Sequence, residues 1–442
     1  MVGFIGFSKR VTTFMLAGML CVMALGGGAI AAEGEIAPGT VITMQNWQKY
    51  QQFMPEGMKA MWAGTVFWKF PPDMQMTVTA TRHYQMPSVY IENTEKYSKQ
   101  VQIVNLPNGG HSIRGYIAGL PFPNPNEPLR GWKLLVDNWY TYVPYNMCSS
   151  GWYFAFIDRL HNFSHDEGII VYRRLSFISD VGQPLTDPDA QGIDYAEFLQ
   201  LLSPEQARYT TELTLYYADP ARPEDQFLFV PALRRTLRVS SQARCSPLFG
   251  SDYTYDDTRI GDFNGGIAKF DAKFLGDKTI LALIPEESDE AVSNLNNYYQ
   301  PLFFPKPAIG AWQLRDSWQI DVHRIPALAS GYCYSRRVNY MDKELYVGTW
   351  GDLYDSKGQL WKSTYTPIWN AKLPDGGGRH VVFGGVSSIY DQQMGHLSIT
   401  IFGNPHNPVR YNSDCSNYDG AGTNFNNVNR YSSVTGLSEI LR

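Results

Sequence analysis

The sequence predicts a mainly β protein: a large, curved, antiparallel sheet forming an open half-barrel, with a few helices in or against its concave face. Three observations predict it. Aromatic residues make up 14% of the 442 residues, with 28 Tyr and 11 Trp, and flat rings pack well on a pleated surface. Stretches of period two recur along most of the chain. Between them lie turns rich in Gly, Pro, Asn and Asp, and few stretches carry a helical period. A long antiparallel sheet curves, and its concave face must be filled by a helix or a ligand.

Residues 1–31 read as an export signal. Lys9 and Arg10 supply the positive start, residues 11–25 the apolar run, and Ala29-Ile30-Ala31 the small residues of a cleavage site, so cleavage is expected after Ala31. The run is shorter than the roughly 20 residues of a spanning helix; a retained anchor is the alternative. The bulky Leu20 before Cys21 argues against lipidation there. Residues 32–64 read as an amphipathic helical segment. Met44, Trp47, Tyr50 and Met54 recur at spacings of three and four, Gln45, Gln48, Lys49 and Gln52 lie opposite, and Pro55 ends the run. Its apolar stripe needs a cover: the sheet, or a role as movable lid or membrane-contacting helix.

From Thr65 the period is two, so residues 65–442 are read as one large β domain. In residues 209–217, Leu213, Leu215 and Tyr217 share one face and Thr210, Glu212 and Thr214 the other, the mark of a half-buried strand. A turn at 219–223 then leads into a strand over 227–239, making a hairpin. Similar runs occupy 64–70, 74–83, 168–178, 278–284, 312–324, 335–347, 381–390 and 397–402. Helices are expected over 194–202 and 287–299, and 412–431 reads as loop.

Hydrophobic residues are 44% and charged residues 18% of the chain, enough for a core and no sign of disorder. Without residues 1–31 the balance is 35 basic to 42 acidic residues, net −7, which argues against a nucleic-acid partner. Cys148, Cys245, Cys333 and Cys415 then remain, an even number that suggests two disulfides with three possible pairings. Their spacing contains no Cys-x-x-Cys, so zinc and redox motifs are not indicated.

No catalytic signature in the sequence is complete. Gly110-His111-Ser112-Ile113-Arg114-Gly115 is one residue too long for a nucleophile elbow, since Arg114 stands where the second glycine belongs. It reads as a hairpin bend before a stiff apolar segment holding Pro121, Pro123 and Pro125. Residues 187–198 imitate a calcium loop but lack one residue after Gly192, so a loop capping a helix is favoured over a cation site. His161 and His165 would share a helix face, yet no Glu follows His161. Asp256, Asp257 and Asp262 are possible acid–base groups whose separation sequence cannot measure. Arg235 lies on the face of Leu233 and Leu237, with Arg234 and Arg238 on the other, so a carboxylate, a carbonyl or a ligand anion is required there, a salt bridge to one of the chain's acids being favoured.

Several stretches together resemble a known family. They are residues 115–123 (GYIAGLPFP), 231–238 (PALRRTLR), 256–265, 334–342 (YSRRVNYMD) and 354–361 (YDSKGQLW). In this order they resemble the exported bacterial family called domain of unknown function 1329, over roughly residues 40–400. The resemblance implies the envelope of Gram-negative bacteria, a fold similar to the lipoprotein carriers LolA and LolB, and service to exporters of the resistance-nodulation-division type with an outer-membrane partner. It supplies no catalytic residues. The expected function is therefore a periplasmic or outer-membrane-associated binding protein or carrier for a lipid or other apolar ligand. Trp47, Tyr50 and Met54 would form a plug or lid, and Arg234, Arg235 and Arg238 would meet an anionic headgroup. No metal or cofactor is called for. An envelope hydrolase and a structural subunit of an envelope complex are the rivals.

Overall fold

The computed structural model describes residues 35–239, 244–259, 263–285, 289–374, 378–381 and 385–440. The predicted export signal and Asp262 lie outside them. Thirteen strands carry the fold: β1 (Asn146–Ile157), β2 (Phe163–Arg174), β3 (Ile193–Ser203), β4 (Thr211–Tyr217), β5 (Asp225–Val230), β6 (Arg235–Val239), β7 (Phe270–Pro285), β8 (Gly310–Arg324), β9 (Arg336–Asp342), β10 (Gly348–Tyr354), β11 (Leu360–Tyr365), β12 (Val386–Asp391) and β13 (His396–Ile401). With Arg410–Tyr411 beside β1 they form one 14-stranded antiparallel sheet, in the order β6-β5-β4-β3-β2-β1-β13-β12-β11-β10-β9-β8-β7. It consists of two up-and-down meanders fused where β13 pairs with β1, Ile401 opposite Tyr153 and Leu397 opposite Ile157. Register shifts, such as those at Ser149/Trp152 and Phe274/Gly276, bend the strands and raise their twist.

This order has a topological consequence. Strands β6 and β7 are consecutive in sequence but form opposite edges of the sheet, so the chain between them must cross the whole sheet. Residues 244–259 and 263–269 belong to that crossing. Packed beside it is an amphipathic helix, α1 (Arg130–Tyr140), which buries Trp132, Leu134, Leu135 and Val136. The opposite face is covered as well. Cys148, Val171, Phe198, Leu213 and Phe229 form a second core with Cys415, Tyr418, Phe425 and Leu437 of the C-terminal segment. Near β10 and β11 that face receives the Glu56–Ala63 helix. Gly57 approaches so closely that a Cβ would stand 2.2 Å from Asp352 Oδ1 and from Ser363 Oγ. Disulfides join Cys148 to Cys415 and Cys245 to Cys333. The first ties the C-terminal segment to β1, the second ties the start of the crossing to the loop before β9.

Several expected elements fold differently. The stripe at 44–54 makes a short 3-10 helix, Trp47–Phe53, and Pro55 opens the Glu56–Ala63 helix instead of only closing a run. Proline suits a helix start because the N–H it lacks has no partner there. Residues 194–202 are strand β3, because pairing with β2 and β4 on both sides outweighs a local helical pattern. The run at 227–239 is two strands, broken by a turn at Pro231–Leu233 where Arg234 adopts φ 48°. Strand is absent from 64–70 among the described residues and limited to Gln75–Thr77 within 74–83. Among the described residues of 287–299, helix is confined to Asp289–Ser293 and Leu295–Asn297.

Candidate functional site

Register identifies the side chains facing the crossing. Met147 lies opposite Tyr172, Tyr172 opposite Glu197, Glu197 opposite Thr214, and Thr214 opposite Gln226. One step along, Ile170, Leu199 and Glu212 form a second row. In the other direction Tyr195 and Tyr216 stack at 4.2 Å between ring centroids. Directly paired residues share a face, so β1 to β5 present one wall that is apolar towards β1 and polar towards β5.

The crossing roofs this wall with Leu248, Tyr253, Tyr255, Asp257, Thr258, Arg259 and Asn264. Between wall and roof lies a narrow hollow. The centre of a water molecule can sweep about 80 Å³ of it, and the wider empty space of about 930 Å³ runs out into open solvent. Trp152, Phe154, Val386 and Phe402 close the apolar side, with Trp152 Nε1 donating to Thr400 Oγ1 at 2.7 Å.

Buried ion pairs hold the roof. Arg244, 2% exposed, donates from Nε to Asp256 at 2.5 Å, from Nη1 to Glu224 at 3.0 Å and from Nη2 to the carbonyls of Tyr255 and Asn264. Asp256 also meets Arg324. Asp257 accepts from Arg337, Tyr334 and Thr254. Asp256 and Asp257 therefore serve as anchors, and Asp256 is held below the usual carboxylate range by Arg244 and Arg324 against the opposing effect of its burial.

The polar end is less well satisfied. Burial pushes Glu197 up to about 7, opposed by the charge of Arg259. It pushes Glu212 up to about 8, with Glu197 adding to the rise. Their hydrogen bonds are long: 3.4 Å from Tyr216 Oη to Glu197 and 3.3 Å from Thr214 Oγ1 to Glu212. Gln226 is 2% exposed, and both polar atoms of its amide lack a partner, as does Asn264 Oδ1. Arg259 stacks on Trp139 and Tyr195, 3.8 and 4.0 Å from their ring centroids, and donates from Nη2 to the Trp139 carbonyl. Its Nε and Nη1 are unpaired. Buried polar groups of this kind are ordinarily paired.

The residues singled out in the sequence lie elsewhere. Trp47 and Met54 are buried in the main core, Trp47 stacked on Trp62 at 6.2 Å, and Tyr50 packs against that core. None of the three lines the hollow. Arg234, Arg235 and Arg238 are exposed at the turn into the edge strand β6 and along it, with Arg238 paired to Asp225. Ser112 stands in a hairpin strand opposite Val104, with no strand-to-helix elbow. The 187–198 loop runs into β3, not a helix, and Asp187 pairs with Arg173 at 2.6 Å. His161 sits in a turn and His165 on β2, so no helix aligns them. Among the described residues no three His, Cys, Asp or Glu side chains gather where they could hold a metal ion.

Fold and hollow together define a sheet protein with an internal cavity, apolar along one wall and polar at one end. The chain belongs to the family described as protein of unknown function DUF1329, whose model matches residues 41–429. Among solved structures it is similar to a DUF1329 family protein from Desulfovibrio piger, 16% identical over 66% of this chain and 98% of that one, TM-score 0.44. It is also similar to a putative outer membrane lipoprotein-sorting protein domain from Vibrio parahaemolyticus, 15% identical over 64% and 92%, TM-score 0.43. A LolA superfamily protein from Nitrosomonas europaea matches at 9% identity over 62% and 90%, TM-score 0.35. No curated protein matches.

Proposed function

We propose that this protein is a binding protein or carrier of the bacterial envelope that shelters an amphipathic small molecule between the β1–β5 wall and the crossing. One observation carries the reading: a hollow persists beside Gln226, Arg259 and Asn264, each with at least one buried polar atom that lacks a partner. Leaving such groups unpaired costs about 1–3 kcal/mol each, and a ligand headgroup would remove that cost. The apolar wall supplies the rest, about 0.8 kcal/mol for each methylene buried. A narrow slot suits a single chain or a flat ring system better than a multi-chain lipid. Two disulfides and an export signal suit an oxidising compartment outside the cytoplasm. On this reading the ligand passes to an export system of the resistance-nodulation-division type and its outer-membrane partner.

The test is extraction of the natively purified protein with organic solvent, followed by mass spectrometry, alongside displacement of a fluorescent amphiphile. A recurring amphiphile near one per chain, competing with the dye, is the expected result. Absence of bound ligand together with no dye binding would overturn the reading and favour a structural subunit. Turnover of an ester or glycoside probe would favour a hydrolase.

A further inference from the structure

The polar end of the hollow holds more than an unsatisfied amide. Its acceptors share one cavity: Glu197, Glu212, Gln226 and Asn264 all belong to its lining. Gln226 and Asn264 leave their oxygens unpaired, and the two glutamates make only long bonds. Of the neighbouring cations, Arg244 is fully engaged and Arg259 only through Nη2. Arg244 is tied to Glu224 and Asp256. Arg259 lies against the rings of Trp139 and Tyr195, with Asp194 and Glu197 as its acidic neighbours. Asp257 is paired with Arg337. Two glutamates line the cavity against one arginine, Arg259, whose Nε and Nη1 are unpaired, so with both glutamates ionised the lining is one positive charge short.

We propose that this end of the cavity recognises the protonated amine of a single-chain or flat-ring amphiphile. The inference rests on the cavity being a ligand site and adds the chemistry of the headgroup. An ammonium group brings three donors and one positive charge, matching two carboxylates and the Gln226 oxygen. A carboxylate or phosphate headgroup would instead be set beside Glu197 and Glu212. Hydrogen bonds to an ionised carboxylate are about twice as strong as neutral ones, so an alcohol of equal chain length gains less.

Proton linkage provides a second signature. In the empty cavity burial keeps both glutamates up, at about 7 and about 8. A bound ammonium requires them ionised, so binding releases protons and strengthens as pH rises towards the amine's own pKa. The other groups facing the pair are Arg244, Arg259, Tyr255 and Asp257 of the crossing, Tyr195 of β3 and Tyr216 of β4. The tyrosines are all pushed above their usual range by burial and stay neutral. Both arginines keep their charge, and it is the Glu197–Glu212 pair that burial moves into the neutral range.

The experiment compares decylamine, decanol and decanoate by isothermal titration calorimetry of the full chain. Decylamine is expected to bind about tenfold more tightly than the other two at about pH 8, a gain of about 1.4 kcal/mol. That preference should narrow severalfold at about pH 6. Titration in buffers of different ionisation heat should show proton release with decylamine alone, a readout needing no variant. Glu197→Gln with Glu212→Gln should abolish the preference and the proton release. Equal affinities for all three probes, or a preference for decanoate, would overturn the amine assignment and leave the cavity reading standing. Failure of every probe to bind would overturn both.

Discussion

Glu197 and Glu212 stand on one face of neighbouring strands, a single step out of register: Glu197 opposite Thr214 and Leu199 opposite Glu212. Diagonal neighbours on a sheet lie about 7–8 Å apart, close enough for the ionisation of one to oppose that of the other. Burial is the larger cause of the rise in Glu212 and the charge of Glu197 the next. The first prediction follows from this pair. In the unfolded chain Glu212 titrates near about 4.3, while folded it titrates at about 8. The folded state thus holds a proton that the unfolded state has lost, and stability falls as pH rises across that window. Glu212→Gln removes this contribution. Its stability advantage over the parent, read from urea unfolding, should widen by a few kcal/mol, on the order of the shift itself, between about pH 5 and pH 8. Parallel pH curves for the two proteins would refute it.

Arg244 gives the second prediction. Its fork meets two carboxylates and two carbonyls while 2% exposed, so Arg244→Met strips charge compensation from Glu224 and Asp256. Lys269 and Arg324 remain as their partners. Removing one member of such a buried network costs about 3–5 kcal/mol, measurable as a lower urea midpoint. Arg244→Lys should recover little, because a point charge cannot reproduce the fork. Full rescue by lysine would show that charge alone matters.

The Cys148–Cys415 bridge closes 267 residues of sequence separation and holds the C-terminal segment over the outer core. Replacing both cysteines with alanine should cost about 2–5 kcal/mol. Trypsin should then cut at Arg430 far faster than in the parent, since Tyr418, Phe425 and Tyr431 would lose their tether over Phe198. Unchanged cleavage at Arg430 would mean that packing alone retains the segment.

Parts of this architecture were legible in the sequence and parts were not, for physical reasons. Period two located β2, β7, β8 and β13, because their residues alternate between two environments. It could not say which face of β4 turns inward. The alternation of Leu213 and Leu215 with Glu212 and Thr214 suggests a core face and a solvent face, yet both faces are covered. The leucines meet the C-terminal segment, whose Asn- and Ser-rich sequence reads as loop, and Glu212 and Thr214 meet the hollow. The pairing of Leu397 with Ile157 is equally invisible, since no local pattern encodes a contact between strands so far apart in sequence. A usable signal for the site was present: Tyr195, Glu197 and Leu199 on one strand, and Glu212, Thr214 and Tyr216 on the next, mix aromatic and acidic residues at alternate positions. Reading 194–202 as a helix hid the first half of it.

Adjacent residues on β3 supply the last prediction, because they separate a hollow face from a filled one. Leu199 lines the cavity between Ile170 and Glu212. Phe198 points the other way and packs edge-on against Tyr431 at 5.2 Å. Adding volume should therefore have opposite consequences one residue apart. In Leu199→Trp the larger ring has space to enter, so the thermal midpoint should move by only a few degrees, while displacement of a bound amphiphile should weaken about tenfold or more as the slot is blocked. Phe198→Trp enters a closed core, where overpacking costs about 1–3 kcal/mol. It should lower the midpoint and leave ligand affinity unchanged in the fraction that folds. Paired measurements of thermal unfolding and dye binding check both. If Leu199→Trp unfolds as readily as Phe198→Trp, the hollow is too tight for a foreign group. If it binds dye as the parent does, the ligand sits elsewhere.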